Sequence, residues 1–328
     1  MTSLTLICID RQQNTHDVVS WQLAPFSGNL PPVLAGQCIT LHTEIDGQPE
    51  CRAYTLSSSP QDACWQVTIK DVGRVSRHLH QTLQVGDKIR VDGPFGDFNL
   101  TALPCERPLL LSAGSGITPM WAMLRDELAK RPDADIRFIH SARSPADVIF
   151  ADELAALAKA HAGIRHALIL EEAPTAHPWV GRLTPAMLAE LAPDLRERHV
   201  YLCGPAPYMA AVRTMLTELG LPPEQLHQES FGLPSAEPAT TSDHFWLTLK
   251  KSGKKVKILP GQTLLAALEA AGETMMAACR AGVCGSCRCT TTGDIERQSV
   301  MTLSAQDLES GVALACSCTA KGDISLDY

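Results

Sequence analysis

The stretch Cys279-Arg280-Ala281-Gly282-Val283-Cys284-Gly285-Ser286-Cys287 sets three thiols at C-x4-C-x2-C spacing, and Cys316 follows after 28 intervening residues. That is the ligand spacing of a plant-type 2Fe-2S cluster. Two ferric ions and two sulfides leave a positive charge for four thiolates to take up, and soft sulfur selects iron–sulfur chemistry over hard cations. Gly282 and Gly285 let the backbone curl round a cluster and turn N–H groups toward its sulfurs. A zinc knuckle is the competing reading, but zinc sites more often show two short C-x2-C pairs and this chain has one. Cys289 and Cys318 stand beside the same loop. Cys289 reads as a free thiol on the following strand, while spacing alone does not choose between Cys316 and Cys318.

Outward from this loop the chain separates into modules. Within residues 244–328, Phe245, Leu247 and Leu249 alternate with polar positions, Lys251-Ser252-Gly253-Lys254 can turn, and Val256 and Ile258 resume the alternation, which predicts a hairpin. Thr263 caps a predicted helix over 264–271 that Gly272 ends. Residues 233–243 hold two prolines and one large apolar residue and read as an extended linker. Between 104 and 232, apolar strands such as Leu109-Leu110-Leu111, Ile136-Arg137-Phe138-Ile139 and Val200-Tyr201-Leu202 alternate with helical segments. The first helix is expected over 119–130, and the second to open at Ser144-Pro145-Ala146-Asp147. This alternation implies a parallel sheet with its ligand crevice at the carboxyl ends of the strands. Residues 1–103 carry short alternating runs, such as 65–70 and 88–91, between Gly, Pro and Asp, the pattern of an antiparallel barrel or sandwich.

Further segments carry phosphate- or ring-binding chemistry. Gly114-Ser115-Gly116-Ile117-Thr118-Pro119 follows a strand and opens a helix, where glycine amides could meet a pyrophosphate. Pro119 stands where a Rossmann fingerprint has Gly or Ala, and no acid ends the second strand, so a tight structural turn fits as well. Arg52-Ala53-Tyr54-Thr55-Leu56-Ser57 joins a cation, an aromatic ring and hydroxyls, suited to a phosphate and a flat ring, or equally to a strand with a buried Tyr. Gly73-Arg74-Val75-Ser76 could start a phosphate-binding helix or merely cap one. Cys203-Gly204-Pro205 ends a strand where ligand sites concentrate, although a lone thiol is more commonly a core residue. The eleven histidines show no metal-binding spacing.

Composition narrows the function classes. With 45% hydrophobic and 20% charged residues the 328-residue chain is globular, and no apolar run is long enough to span a bilayer. The first residues lack an export signal, so a cytoplasmic protein is expected. A net charge of −8 and 5% aromatic content argue against a nucleic-acid surface. Six of the twelve cysteines fall within forty residues, which in a reducing compartment indicates metal rather than disulfides. Residues 279–328 hold four bases and six acids, an acidic lobe that would steer in a basic partner.

Taken in order, these elements resemble the ferredoxin–NADP reductase superfamily, in the subgroup whose flavin and pyridine-nucleotide domains precede a C-terminal plant-type ferredoxin. The resemblance covers essentially the whole chain. It implies a multi-domain protein: an FAD-binding antiparallel β-barrel over 1–103, an NAD(P)-binding α/β domain with a parallel sheet over 104–232, the linker over 233–243, and an α+β β-grasp 2Fe-2S ferredoxin domain over 244–328. In the R-x-Y-S/T motif, Arg52 would bind flavin phosphate, Tyr54 would pack on the flavin, and Thr55, where the family usually has Ser, would sit beside flavin N5, with Ser57 closing the segment. Gly73, Val75 and Ser76 match the second flavin-phosphate segment. Residues Gly114, Gly116, Thr118 and Pro119 match the family's own nucleotide loop, which tolerates proline, and Arg143 would be the residue able to pair with a 2′-phosphate. Cys203, Gly204 and Pro205 match a C-G-P motif whose cysteine lies near the nicotinamide. Glu229-Ser230-Phe231 matches the end of the reductase module near the flavin face. Thr55, Cys203 and Glu229 are therefore the expected catalytic residues, with Phe231 on the cofactor. The L-A-C element Leu314-Ala315-Cys316 favours Cys316 over Cys318, completing the ligand set Cys279, Cys284, Cys287 and Cys316.

The resemblance implies an NADH-dependent oxidoreductase, with NADPH as the alternative donor. A hydride would pass to flavin N5 of FAD, or of FMN, and single electrons would continue through the 2Fe-2S cluster to a protein acceptor. Residues 143–153, 203–209, 279–285 and 314–318 resemble reductases that serve hybrid-cluster protein, which makes that protein the expected acceptor. Reductase components of oxygenases and demethylases share many of the same elements and form the alternative. A non-enzymatic redox-sensing or electron-carrier module is the second alternative, and it would need degenerate nucleotide loops.

Overall fold

The structure is a computed structural model that describes residues 3–174, 176–231, 244–275, 277, 280, 282, 285–299 and 302–328. The chain forms two compact units. One runs to Gln48 and resumes over Tyr54–Phe231; the other holds Pro49–Ala53 and the described residues from 244 onward.

The first unit opens with strands β1 (Ser3–Thr15), β2 (Val18–Pro25), β3 (Cys38–Ile45), β4 (Gln48–Thr55) and β5 (Trp65–Lys70), helix α1 (Arg74–Thr82) and strand β6 (Lys88–Phe95). They form one sheet in the order β4-β3-β6-β1-β2-β5. An antiparallel bridge between Leu56, just past β4, and Val67 on β5 closes it into a barrel and removes its free edges. Strand alternation explains the filling: Leu6 and Cys8, Val19, Trp21 and Leu23, Ile39 and Leu41, Val67 and Ile69 all point inward and are buried. Val75 and Leu79 of α1 join the same core, and the Trp21 indole donates to the Leu83 carbonyl at 3.1 Å.

A parallel sheet follows, built from β7 (Pro108–Ala113), α2 (Ile117–Lys130), β8 (Ile136–Ala142), α3 (Ala151–Ala160), β9 (Ile164–Leu170), α4 (Pro185–Leu191), β10 (His199–Cys203), α5 (Ala206–Glu218) and β11 (Leu226–Glu229). Its order is β11-β10-β7-β8-β9, all parallel. Both faces are covered, which is why the strands read as nearly continuous apolar runs. Leu110, Phe138 and Tyr201 pack toward α2, while Leu109, Leu111, Val200 and Leu202 pack with Leu188, Val212 and Leu216 of α4 and α5.

Two helix starts differ from the sequence expectation. Gly114–Gly116 already form a tight 3-10 turn that runs into α2, so the helix begins at Ile117 rather than Pro119. The Ser144 capping box closes only a single turn at Pro145–Asp147, and α3 opens later, at Ala151. Val148, Ile149 and Phe150 are the reason: all three are buried, and Phe150 stacks on Trp121 with centroids 5.1 Å apart, which draws the chain out of the turn. Phe150 adopts φ 59° to redirect the chain into the helix.

The second unit contains β12 (Phe245–Leu249), β13 (Lys255–Ile258), α6 (Leu264–Ala270), β14 (Arg288–Thr292), β15 (Ile295–Arg297), α7 (Ala305–Glu309), β16 (Val312–Leu314), β17 (Cys318–Ala320) and β18 (Ile324–Asp327). A five-stranded mixed sheet runs β13-β12-β18-β14-β16, with β12 and β18 parallel, and β15 pairs β17 apart from it. Leu264, Leu265, Ala267 and Leu268 of α6 complete its core, the layout of a β-grasp. As expected, Thr263 caps that helix, its hydroxyl accepting from the Ala266 amide at 3.2 Å. No helix among the described residues is long and apolar enough to cross a membrane.

Candidate functional site

A crevice of about 430 Å³ opens at the carboxyl ends of β7, β8, β9 and β10, where parallel sheets place their ligands. Gly114, Arg143, Pro205 and Tyr208 line it, and Lys70 reaches it from the end of β5. Gly116 sits behind this surface. A methyl group there would collide with the Cys203 carbonyl, so the turn can lie against β10 only because residue 116 has no side chain. Thr118 donates to the Ser115 carbonyl at 3.0 Å and Pro119 is buried in the first turn of α2, so both shape the loop rather than its surface.

Arg143 is not a free cation at this crevice. Asp147 accepts from its Nη2 at 2.8 Å and its Nε at 3.3 Å, and the guanidinium holds the Asp147 carboxyl down at about 2. Arg182 is likewise paired with Glu171 at 3.2 Å. Lys70 and these carboxylates have no spacing signature; only the fold brings them to the crevice.

Thr55, Cys203 and Glu229 arrive from three separate strands and meet in one place. Cys203 and Glu229 are direct partners across the β10–β11 ladder, and the Thr55 hydroxyl hydrogen-bonds the Glu229 carboxyl. Glu229 Oε2 is sealed from solvent without a partner. Burial pushes this carboxyl up to about 8, so it keeps its proton at neutral pH. Cys203 is fully buried; that burial pushes its thiol well above the ordinary range, and Glu229, once ionised at higher pH, adds to the shift. Gly204 packs so closely on Ala113 and Tyr208 that a side chain would not fit.

The remaining flavin-segment residues lie along β4 and α1. Tyr54 packs on the barrel core, and Arg52, two residues earlier, donates to Glu50 at 3.3 Å and to the Cys51 carbonyl at 2.6 Å. The Ser57 hydroxyl is engaged inside the barrel, with Thr68 at 2.8 Å and Gln66 at 3.3 Å. Ser76 Oγ accepts from the Gly73 amide at 2.9 Å and caps α1, while Val75 points into the core, so this segment offers backbone amides at a helix start. Phe231 follows β11 and is exposed.

Of the four expected cluster ligands, Cys279 and Cys284 lie outside the described residues, whereas Cys287 and Cys316 are buried. The Gly282 amide donates to Cys316 Sγ at 3.1 Å, tying the cysteine loop to the fourth thiol. Gly282 has φ +73°, and a Cβ there would strike Ser299 and Ser317. A loop amide aimed at sulfur, in a cradle only glycine fits, suits an iron–sulfur cluster and favours Cys316 over Cys318.

Three family models divide the chain: an oxidoreductase FAD-binding domain over residues 11–100, an oxidoreductase NAD-binding domain over 110–214 and a 2Fe-2S iron-sulfur cluster binding domain over 247–321. NADH oxidoreductase HCR of Escherichia coli (strain K12) is 36% identical over 303 residues, 91% of this chain and 89% of that protein. The chain belongs to the ferredoxin–NADP reductase superfamily. Other relatives in this superfamily include the glycine betaine monooxygenase reductase subunit of Chromohalobacter salexigens, 36% identical over 305 residues, 86% of this chain and 83% of its own length. The solved structure of phthalate dioxygenase reductase, described as modular for electron transfer from pyridine nucleotides to 2Fe-2S, covers 99% of this chain and 98% of its own at 25% identity and a TM-score of 0.64. This superfamily member is an NAD(P)H-dependent oxidoreductase that uses FAD, NADH and a 2Fe-2S cluster. Its residues fit those groups: an orphaned buried carboxyl oxygen beside β10, a glycine turn at the crevice, and a glycine cradle at the cysteine loop.

Proposed function

We propose that the chain is an NADH-dependent reductase that delivers single electrons to hybrid-cluster protein. The observation that carries the reading is the convergence of Thr55, Cys203 and Glu229 at the edge where β10 and β11 end. Bound FAD would supply the conversion of a hydride into single electrons, and the cluster would carry them one at a time. Glu229 holds a proton on its carboxyl at neutral pH, oriented by Thr55, and Cys203 adds a small neutral thiol. Between them they form a dry wall against which flat rings can be aligned. Gly114, Gly116, Thr118 and Pro119 shape the nucleotide turn, Gly204 and Pro205 continue its floor, and Arg143 closes the outer end. Arg52, Tyr54, Ser57, Gly73, Val75, Ser76 and Phe231 are assigned to the flavin, and Cys279, Cys284, Cys287 and Cys316 to the cluster.

The acceptor assignment rests on the resemblance in residues 143–153, 203–209, 279–285 and 314–318. A second reading, reductase of an oxygenase or demethylase, is favoured by relatives such as the glycine betaine monooxygenase reductase subunit and the stachydrine N-demethylase reductase subunit Stc4 of Rhizobium meliloti (strain 1021), 33% identical over 324 residues. Action in the cytoplasm agrees with six cysteines gathered within forty residues, which in a reducing compartment suit a metal cluster.

The test is spectroscopic. NADH should bleach the flavin bands in both wild type and Cys284→Ser, while only the wild type should reduce hybrid-cluster protein. One-electron transfer surviving in Cys284→Ser overturns the relay. Reduction of an oxygenase component in place of hybrid-cluster protein selects the second reading.

A further inference from the structure

The hairpin of β12 and β13 concentrates positive charge that the electron-transfer chemistry described above does not use. Five of the chain's ten lysines, Lys250, Lys251, Lys254, Lys255 and Lys257, fall within eight residues that contain no acid, in a protein of net charge −8. All five are exposed. Lys251 lies 3.7 Å from Asp327 and Lys254 2.6 Å from Glu273, whereas Lys250, Lys255 and Lys257 make no ion pair among the described residues. On β13, Val256 and Ile258 face the core, so Lys255 and Lys257 share the outer face, where Lys257 is the cross-strand partner of the exposed Trp246. The exposed Trp246 ring is of the type that anchors interfaces, and the unpaired lysines around it supply a positive field that would steer an acidic partner.

Sheet register puts the turn of this hairpin, with Lys250, at the cluster end of the domain, and the patch runs from there along β12 and β13 to Lys257 and Trp246. The Lys250 amide donates to Leu326 on β18, and the next residue of β18, Asp327, is opposite Thr290 on β14. Cys287 lies three residues before Thr290, toward that same end of the sheet. Two strand spacings and three residues of rise place Lys250 about 14 Å from Cys287. The acids of residues 279–328, by contrast, are partly spent on ion pairs such as Arg288–Asp307 and Lys321–Glu296. The ferredoxin domain from 244 to 328 carries nine Lys and Arg against eight Asp and Glu, so the chain's negative charge lies outside it.

We propose that the lysine hairpin at Lys250–Lys257, with Trp246, is the docking surface for the protein electron acceptor, and that the acceptor presents an acidic face around its redox centre. This rests on the reading of the chain as a reductase of a protein acceptor, and it reverses the basic partner that the composition of residues 279–328 suggested. Lysines on an exposed edge strand also guard against edge-to-edge pairing. That role would affect self-association and not the choice of acceptor.

A matched pair of acceptors tests the idea. Native cytochrome c has a basic face, and succinylation of its lysines makes the same haem protein acidic. Each NADH oxidised to NAD⁺ reduces two ferric haems and releases one proton. With the full chain carrying its cofactors, the rate constant for succinylated cytochrome c should fall as ionic strength rises. The triple variant Lys250→Glu, Lys255→Glu, Lys257→Glu should lower it about tenfold at low salt, and leave native cytochrome c as fast or faster. Calorimetric affinity of the oxidised chain for succinylated cytochrome c should fall in parallel. A control with the same charge change elsewhere, Lys159→Glu, Arg165→Glu, Arg213→Glu, should change these values less than about twofold. Equal losses in the two triple variants, or a loss under about twofold in the hairpin variant, overturn the proposal. If the wild type bleaches with NADH yet reduces neither cytochrome, the electron-transfer reading itself fails. Self-association of the hairpin variant in sedimentation, with the acceptor rates unchanged, assigns the lysines to edge protection and also overturns it.

Discussion

Among the expected catalytic residues, Glu229 is the one whose titration burial moves close to neutral pH. The folded chain keeps its carboxyl protonated up to about 8, whereas the unfolded chain releases that proton near the ordinary glutamate value. Its contribution to stability is therefore complete below that ordinary value and lost as pH rises through about 8. Between about pH 5 and pH 8.5 the Tm of the wild type should fall relative to Glu229→Gln by roughly 4–8 °C, read by differential scanning calorimetry. Asp147 shows the opposite case, a carboxyl held low by Arg143. As long as that pair persists, a 2′-phosphate must compete with Asp147 for the guanidinium. In Asp147→Asn, kcat/KM for NADPH relative to NADH should rise about tenfold, and an unchanged ratio would show that Arg143 does not meet the nucleotide.

Among the elements, β10 both begins and ends at a charged or reactive centre. Just before it, Arg198 is buried with its guanidinium on Asp194 and Asp135, each at 2.8 Å, while Arg137 pairs with Asp194 at 2.9 Å. Arg198, with Arg137, holds the Asp194 carboxyl far below the usual range. Arg198→Ala should cost about 2–4 kcal/mol by chemical denaturation at neutral pH. That cost should shrink as pH falls below the ordinary aspartate value, because the contribution of a depressed carboxyl is present above that value and lost on acidification. None of this network has a sequence signature: Asp135 and Arg137 stand at the start of β8, Asp194 and Arg198 just before β10, and only parallel strand order joins the two ends. The cluster loop was legible because its chemistry fixes spacing along the chain, as was the Thr263 cap because its partners are local. The late start of α3 was not, because burial of Val148, Ile149 and Phe150 outweighed a sound local cap. The meeting of Thr55 with Glu229 likewise depends on contacts 174 positions apart in sequence.

For the molecule as a whole, the hydrophobic core of the ferredoxin domain contains only residues from 247 onward, and the flavin and nucleotide cores contain none of these. Separate cores predict separate transitions. Stripping iron with a chelator should lower the calorimetric transition of the ferredoxin domain by more than about 10 °C and move the flavin–nucleotide transition by less than about 2 °C. A single merged transition before and after chelation would contradict that independence. The nesting of Gly116 against the Cys203 carbonyl has a consequence for recombination. The nucleotide turn and β10 are cut to a shared backbone-to-backbone fit, although 86 residues separate them in sequence. A chimera of two related reductases with its crossover between these positions inherits one half of that fit from each parent. Crossovers before the turn or after β10 pass the interlock on intact, so exchange of whole ferredoxin domains should succeed more often than exchange within the nucleotide domain.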